Sequence, residues 1–214
     1  MAEHAHVSER IDDLASIYEP AIHLAVARRP ADPAVTRFVA EVLARRCLPS
    51  AELIVGPATA MTEQLPPAVG GFAPAVATLP GYAEFCRDLE LQVAIFTDLF
   101  ELDAVGMRIA TLQGPMCPRF HVDHIPCRLI TTYGGRGTEW LPEEYVDRCQ
   151  LGRAALPLRH PETGDITTQA LEPWDIGLFR GEGWLEGSVG GIVHRSPHIQ
   201  PEQPRLLVTL DFIR

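Results

Sequence analysis

Long apolar runs are missing from this sequence. No stretch approaches the ~18 apolar residues of a membrane-spanning helix, so none is expected. The opening "MAEHAHVSERIDD" lacks a basic start followed by an apolar run, so no signal peptide is expected there. Paired cysteines are also missing. The five cysteines, Cys47, Cys86, Cys117, Cys127 and Cys149, are odd in number and form no CxxC pair. A secreted disulfide framework is usually even and denser, so a reducing, cytoplasmic setting is expected. Basic clusters are absent too; the densest pairs are Arg28-Arg29 and Arg45-Arg46, against a formal net charge of −10. Phosphate backbones and anionic membranes attract clustered Lys and Arg, so neither nucleic acid nor a membrane is an expected partner. There is no internal repeat and no low-complexity tract.

What is present suits a folded core. The 214 residues are 46% hydrophobic and 21% charged, enough for one domain that buries its own core without staples. The chain changes character near residue 105, giving a helix-rich support over 1–104 and a strand-rich core over 105–214. In the first part, Ile11, Leu14, Ile17 and Tyr18 predict a short helix over 9–18, and "AIHLAV" reads as a strand. "DPAVTRFVAEVLARR" predicts the clearest helix, with Asp32 as N-cap, Pro33 in the first turn and Arg45 and Arg46 at the negative dipole end. Residues 56–80, rich in Pro, Gly and Ala, read as a long connection with about one helical turn. A second helix is expected over 81–101, its buried face running through Phe85, Leu89, Val93 and Phe96.

Beyond residue 105 the apolar period shifts toward two. Strands are expected at 107–112, 120–124, 127–133, 165–171, 175–181, 190–195 and 205–212, with a turn at "GGRG" (134–137) and a rim insertion over 141–164. Many short strands divided by turn signals suggest a sandwich or barrel.

The chemistry concentrates in "FHVDHIPCR" (120–128). On a strand, His121 and Asp123 share one face and His124 points to the other. An imidazole and a carboxylate side by side supply two ligands for a divalent metal. His194 in "GGIVHRSPH" is the candidate third, and two His with one carboxylate is the open-faced set of non-haem Fe(II) oxygenases. Arg205 follows at the start of "RLLVTLDF"; its donor fork matches a carboxylate. Other readings stay open. His121 and Asp123 also suit a hydrogen-bonded pair inside a β-core. Arg205 also suits a strand start at the surface. Arg128 and Tyr133 either line the pocket or are ordinary strand residues. Cys117, His121, His124 and Cys127 lie close enough in sequence for a closed zinc site, against which stand the unusual spacing and the stiffening by Pro118 and Pro126.

The runs "MRIATLQGPMCPRFHVDHIPCRLITTYGGRGTEW", "PWDIGLFRG" and "GIVHRSPHIQPEQPRLLVTLDF" resemble the core of the Fe(II)/2-oxoglutarate dioxygenase superfamily, in its prolyl-hydroxylase-like branch. The H-x-D falls on His121 and Asp123, the strand-ending Tyr and Gly-Gly turn on Tyr133, Gly134 and Gly135, the distal His on His194 and the basic residue on Arg205. The whole chain also resembles an uncharacterised bacterial domain-of-unknown-function family. The superfamily resemblance implies an α+β fold, with a double-stranded β-helix (jelly-roll, cupin-like) core and bracing N-terminal helices. It also implies an Fe(II)-dependent oxygenase with 2-oxoglutarate as co-substrate, acting on a small molecule or a protein side chain. Its metal ligands would be His121, Asp123 and His194, and its cofactor-binding residues Arg205, Tyr133 and Arg128. The alternative is a non-catalytic protein on the same fold that handles zinc or iron. Two positions depart from the pattern. Leu207 stands where the superfamily often has Ser or Thr, and Asp175 falls in a usually apolar stretch.

Overall fold

The computed structural model describes residues 4–47, 50–56, 74–148, 151, 168–184 and 190–213. Ten strands are seen there: β1 Ala5–Ser8, β2 Leu24–Ala27, β3 Ala51–Val55, β4 Val105–Leu112, β5 Cys127–Gly134, β6 Glu139–Trp140, β7 Gln169–Ala170, β8 Ile176–Arg180, β9 His194–Arg195 and β10 Arg205–Phe212. They form a seven-stranded sheet in the order β1-β2-β8-β5-β10-β4-β3 and a three-stranded sheet in the order β7-β6-β9. All pairings are antiparallel except that of β1 with β2. The α-helices among the described residues are α1 Pro33–Arg45, the single turn α2 Pro74–Ala77, and α3 Tyr82–Phe100. No helix among the described residues is long and apolar enough to cross a membrane.

The alternation of each central strand divides the large sheet between two cores. Ala25, Leu129, Leu178, Leu206 and Val208 face α1 and α3, in one cluster with Phe38, Val42, Phe85, Leu89 and Phe96. Their chain neighbours Leu24, Ile130, Phe179 and Leu207 face the other way and pack with Leu171 and Ile192 beside the small sheet. Each large apolar side chain so buried contributes roughly 1.5–3 kcal/mol. The helix side is therefore the main hydrophobic core, and the face under the small sheet is free to carry polar groups.

The helices begin and approach each other as their sequences dictate. Asp32 Oδ1 accepts from the amides of Ala34 (2.7 Å) and Val35 (3.1 Å), capping α1 just before Pro33. Gly81, at φ +89°, opens α3 where a Cβ would stand 2.5 Å from the Ala34 carbonyl oxygen. Only glycine allows that backbone turn and that closeness together. Phe38 and Phe85 then meet with ring centroids 5.0 Å apart.

Several expectations are corrected. The short helix expected over 9–18 is present as Ile11–Tyr18, in 3-10 form; its buried residues, Leu14 and Ile17, are three apart, the period of that tighter coil. The first 104 residues are not helical apart from one strand, since β1 and β3 join β2 in the large sheet. Residues 120–124 are not a strand but make a single bridge, His121 to His194. Pro118 and Pro126 remove two ladder donors around that point. The expected strand at 190–195 shortens to β9. Of the expected strand at 165–171, residues 169–170 pair, and 165–167 lie outside the described residues. So does most of the rim insertion, and so does 57–73 of the long connection, which ends in the helical turn α2.

Candidate metal centre

The bridge between His121 and His194 sets the centre. Each backbone amide donates to the other residue's carbonyl, at 3.0 Å and 2.9 Å, so the two side chains emerge together. Their rings lie 4.5 Å apart. Each ring is oriented by its own chain. His121 Nδ1 lies 3.0 Å from the Arg119 carbonyl oxygen, and His194 Nδ1 lies 3.1 Å from that of Ile192. A carbonyl oxygen only accepts, so both Nδ1 atoms carry a proton, and in the neutral ring each Nε2 presents a lone pair. Phe179 packs its ring edge-on against His194, 5.1 Å away, and further holds its plane.

Both Nε2 atoms face the carboxylate of Asp123. His121 Nε2 is 3.4 Å from Oδ1 and His194 Nε2 is 3.5 Å from Oδ2. The three residues offer ligand atoms that all lie within 4.8 Å of one another. His194 is buried, at 6% side-chain exposure, while His121 is 31% exposed, so the set is open on one side. When protonated, His121 Nε2 donates to Asp123, and this raises the His121 pKa. Burial lowers that of His194 to about 4, keeping its ring neutral. Burial alone would raise Asp123, but His121, His194 and Arg128 outweigh it and hold the carboxyl at about 2. A neutral imidazole and an ionised carboxylate are the states a divalent cation requires. Two imidazole nitrogens and one carboxylate oxygen suit Fe(II), and other divalent ions such as Zn(II).

Among the described residues Arg205 is the largest fully buried side chain, at 1% exposure. Its Nη2 donates to Thr132 Oγ1 at 2.8 Å and to Thr138 Oγ1 at 2.6 Å. Among the described residues no carboxylate lies within ion-pair distance of it. The nearby Glu139 is engaged by Arg195 at 2.7 Å and Arg136 at 3.3 Å. Burial lowers the guanidinium to about 10. Gly135, at φ +85°, lets the 134–137 turn lie against Arg205; a Cβ there would be 3.0 Å from the Arg205 Cα. Leu207 does not touch this cradle by a hydroxyl. It packs between the sheets, and the hydroxyls that meet Arg205 belong to Thr132 and Thr138.

Arg128 and Thr132 have the same parity on β5. Arg128 meets Asp123 and Thr132 meets Arg205, about 13 Å apart along the strand. The contacts to the triad and to the buried guanidinium thus lie at two ends of one sheet face. Tyr133 does not join them. It has the opposite parity, and in the helix-side core its hydroxyl meets Asp88 and Gln92, so the cofactor-binding role expected of it is corrected. Arg128 is engaged by Asp123 and Asp211.

The closed zinc set is not assembled. Cys127 is fully buried on the helix side of β5, Cys117 is exposed, and His124 points outward onto Glu182 at 2.6 Å. Cys149 lies outside the described residues. Asp175 closes a local turn, accepting from the Glu172 amide at 2.9 Å. Thr132, Thr138 and Asp211 were not singled out by sequence. Parity on β5 marks Thr132; Asp211 follows only from the register of strands far apart in the chain.

The model of one family, described as "Protein of unknown function (DUF1826)", matches residues 8–211. The chain belongs to that family. No curated protein matches this DUF1826 chain. Solved structures with some likeness include a dioxygenase for auxin oxidation from rice, 11% identical, covering 98% of this chain and 82% of that one, with a TM-score of 0.49. A prolyl-4-hydroxylase from Pseudomonas putida is 15% identical, covering 95% and 93%, at 0.44. A C-terminally truncated protein of Neurospora crassa, in apo form, is 12% identical, covering 95% and 88%, at 0.47. At such scores the function of this DUF1826 chain has to be argued from its own residues.

Proposed function

We propose that the protein is an Fe(II)- and 2-oxoglutarate-dependent oxygenase of hydroxylase type, on a double-stranded β-helix core formed by the two facing sheets. The observation that carries this reading is Arg205. A buried guanidinium that meets two threonine hydroxyls and, among the described residues, no carboxylate is costly unless something anionic joins it. The same sheet face carries Arg128, which reaches the Asp123 of a His–Asp–His set whose two Nε2 atoms turn toward one carboxylate. A dicarboxylate with a keto group at one end matches that pair of features.

In this reading His121, Asp123 and His194 hold the iron, which, with the oxo-acid, supplies the oxidative chemistry when bound. Arg205 takes the distal carboxylate, with Thr132 and Thr138 orienting its fork. The apolar side chains between the sheets, Leu207, Ile130 and Phe179, keep water from the space between. The open side at His121 is where substrate approaches. A small molecule or a protein side chain fits that approach better than nucleic acid, given the net charge of −10.

Isothermal titration of 2-oxoglutarate into protein loaded with Mn(II) tests the proposal. Binding is expected with the metal present and is expected to vanish in Arg205→Met. Equal binding with and without metal, or by the Arg205 variant, would overturn it.

A further inference from the structure

A carboxylate beside a metal ion gives it either one oxygen or two, and the choice decides how many positions remain for other ligands. Both oxygens of Asp123 face the space between the imidazoles, Oδ1 toward His121 and Oδ2 toward His194. Arg128 holds one of them and not the other. Arg128 Nη1 donates to Oδ2 at 2.8 Å. The remaining donors of that guanidinium are anchored behind it: Nε reaches Asp211 Oδ1 at 2.7 Å and Nη2 reaches Asp211 Oδ2 at 2.9 Å. Asp211 is the residue directly across from Arg128 in the β5–β10 ladder. The fork is therefore built into the sheet. Asp211 also cancels the arginine's charge, so Arg128 adds no net positive charge beside a cation.

We propose that Arg128, anchored by Asp211, is a positioning residue that keeps Asp123 a one-oxygen ligand through Oδ1. About half of an octahedral ion's positions then stay open for a chelating co-substrate and for oxygen. This inference rests on the metal-centre reading above. It assigns Arg128 to the metal ligand and not to the co-substrate. Without Arg128, Oδ2 is released, the carboxylate turns to give both oxygens, and one open position closes. A lysine would not substitute, because a single ammonium cannot fork onto Asp211 and hold Asp123 at once.

The test is the relaxation of water protons by bound Mn(II), which counts exchangeable positions on the ion. The unaltered protein is expected to show about three such waters, and Arg128→Met about one fewer, lowering the enhancement by roughly a third. Arg128→Lys is expected to behave like Arg128→Met. If Arg128→Met fails to fold, Asp211→Asn carries the test, and a fall in the same direction is expected. A folded variant that binds Mn(II) with unchanged enhancement would overturn the inference alone. Failure of the unaltered protein to bind Mn(II) would overturn the metal-centre reading and this inference with it.

Discussion

Arg205 offers a sharp separation between a residue that supports the fold and one that serves a ligand. Burial lowers its guanidinium from 12.5 to about 10. At about 1.4 kcal/mol for each tenfold change, keeping it charged in the fold costs about 3 kcal/mol. The sign is fixed by the direction: at pH 7, below both values, the group is charged folded and unfolded, so the whole cost is present. Arg205→Met alone would strand the hydroxyls of Thr132 and Thr138. Changing these to Val in the same variant removes donor and acceptors together. The triple variant Arg205→Met, Thr132→Val, Thr138→Val is then expected to gain about 3 kcal/mol, raising Tm by about 6–12 °C for a chain of this size. It should also lose the stabilisation that 2-oxoglutarate with Mn(II) gives the unaltered protein, about 2.7 kcal/mol at a hundredfold excess over Kd. Differential scanning calorimetry at pH 7, with and without ligand, reads both effects. A fall in Tm of several degrees in the triple variant would show that Arg205 is a strut of the core, and the reasoning would fail.

Metal content separates the triad from the cysteines: Asp123→Ala is expected to lose most of its bound metal, and the double variant Cys117→Ser, Cys127→Ser to keep it. The reverse pattern in metal analysis would restore a closed zinc site. Tyr133→Phe is expected to leave 2-oxoglutarate affinity unchanged while costing about 1–2 kcal/mol in urea unfolding, because its hydroxyl serves Asp88 and Gln92 in the helix-side core. The metal-free protein should lose stability as pH falls from about 6.5 to 4, since burial lowers His194 and His23 to about 4 while the unfolded chain takes up protons near 6.5. His194 alone accounts for about 3 kcal/mol of that loss. His121, raised by Asp123, acts in the opposite sense, stabilising below 6.5 and losing that contribution as pH rises through its folded value. Urea midpoints that stay level between pH 7 and 4 would refute the assignment of a neutral, buried His194.

The strands that position the site were legible because each carries its own period. "CRLITTY" and "RLLVTLDF" alternate between two buried faces, so their limits follow from local pattern alone. Helix α1 announced itself by Asp32 and Pro33. The strands β1 and β3 were not read from sequence, and their place at the edges of the sheet is decided by partners distant in the chain. The triad was legible from residue type and a spacing of two, although 120–124 proved to be a bridge between prolines rather than a strand. What sequence could not give is register. Asp211 stands opposite Arg128, and Thr132 beside Arg205, only because β10 lies between β4 and β5 with a shift at Leu206/Leu207. Tyr133 was misplaced for the same kind of reason: one residue of parity separates Thr132, under the small sheet, from a side chain packed against α3.

The central claim is that His121, Asp123 and His194 leave metal positions that an oxo-acid held by Arg205 can fill. Anaerobic addition of 2-oxoglutarate to the Fe(II)-loaded protein, followed by visible absorption, tests it most directly. A metal-to-ligand charge-transfer band is expected to grow and saturate, to be absent with Zn(II) in place of Fe(II), and to be absent in Asp123→Ala. Fe(II) bound in one equivalent with no band at saturating 2-oxoglutarate would contradict the claim.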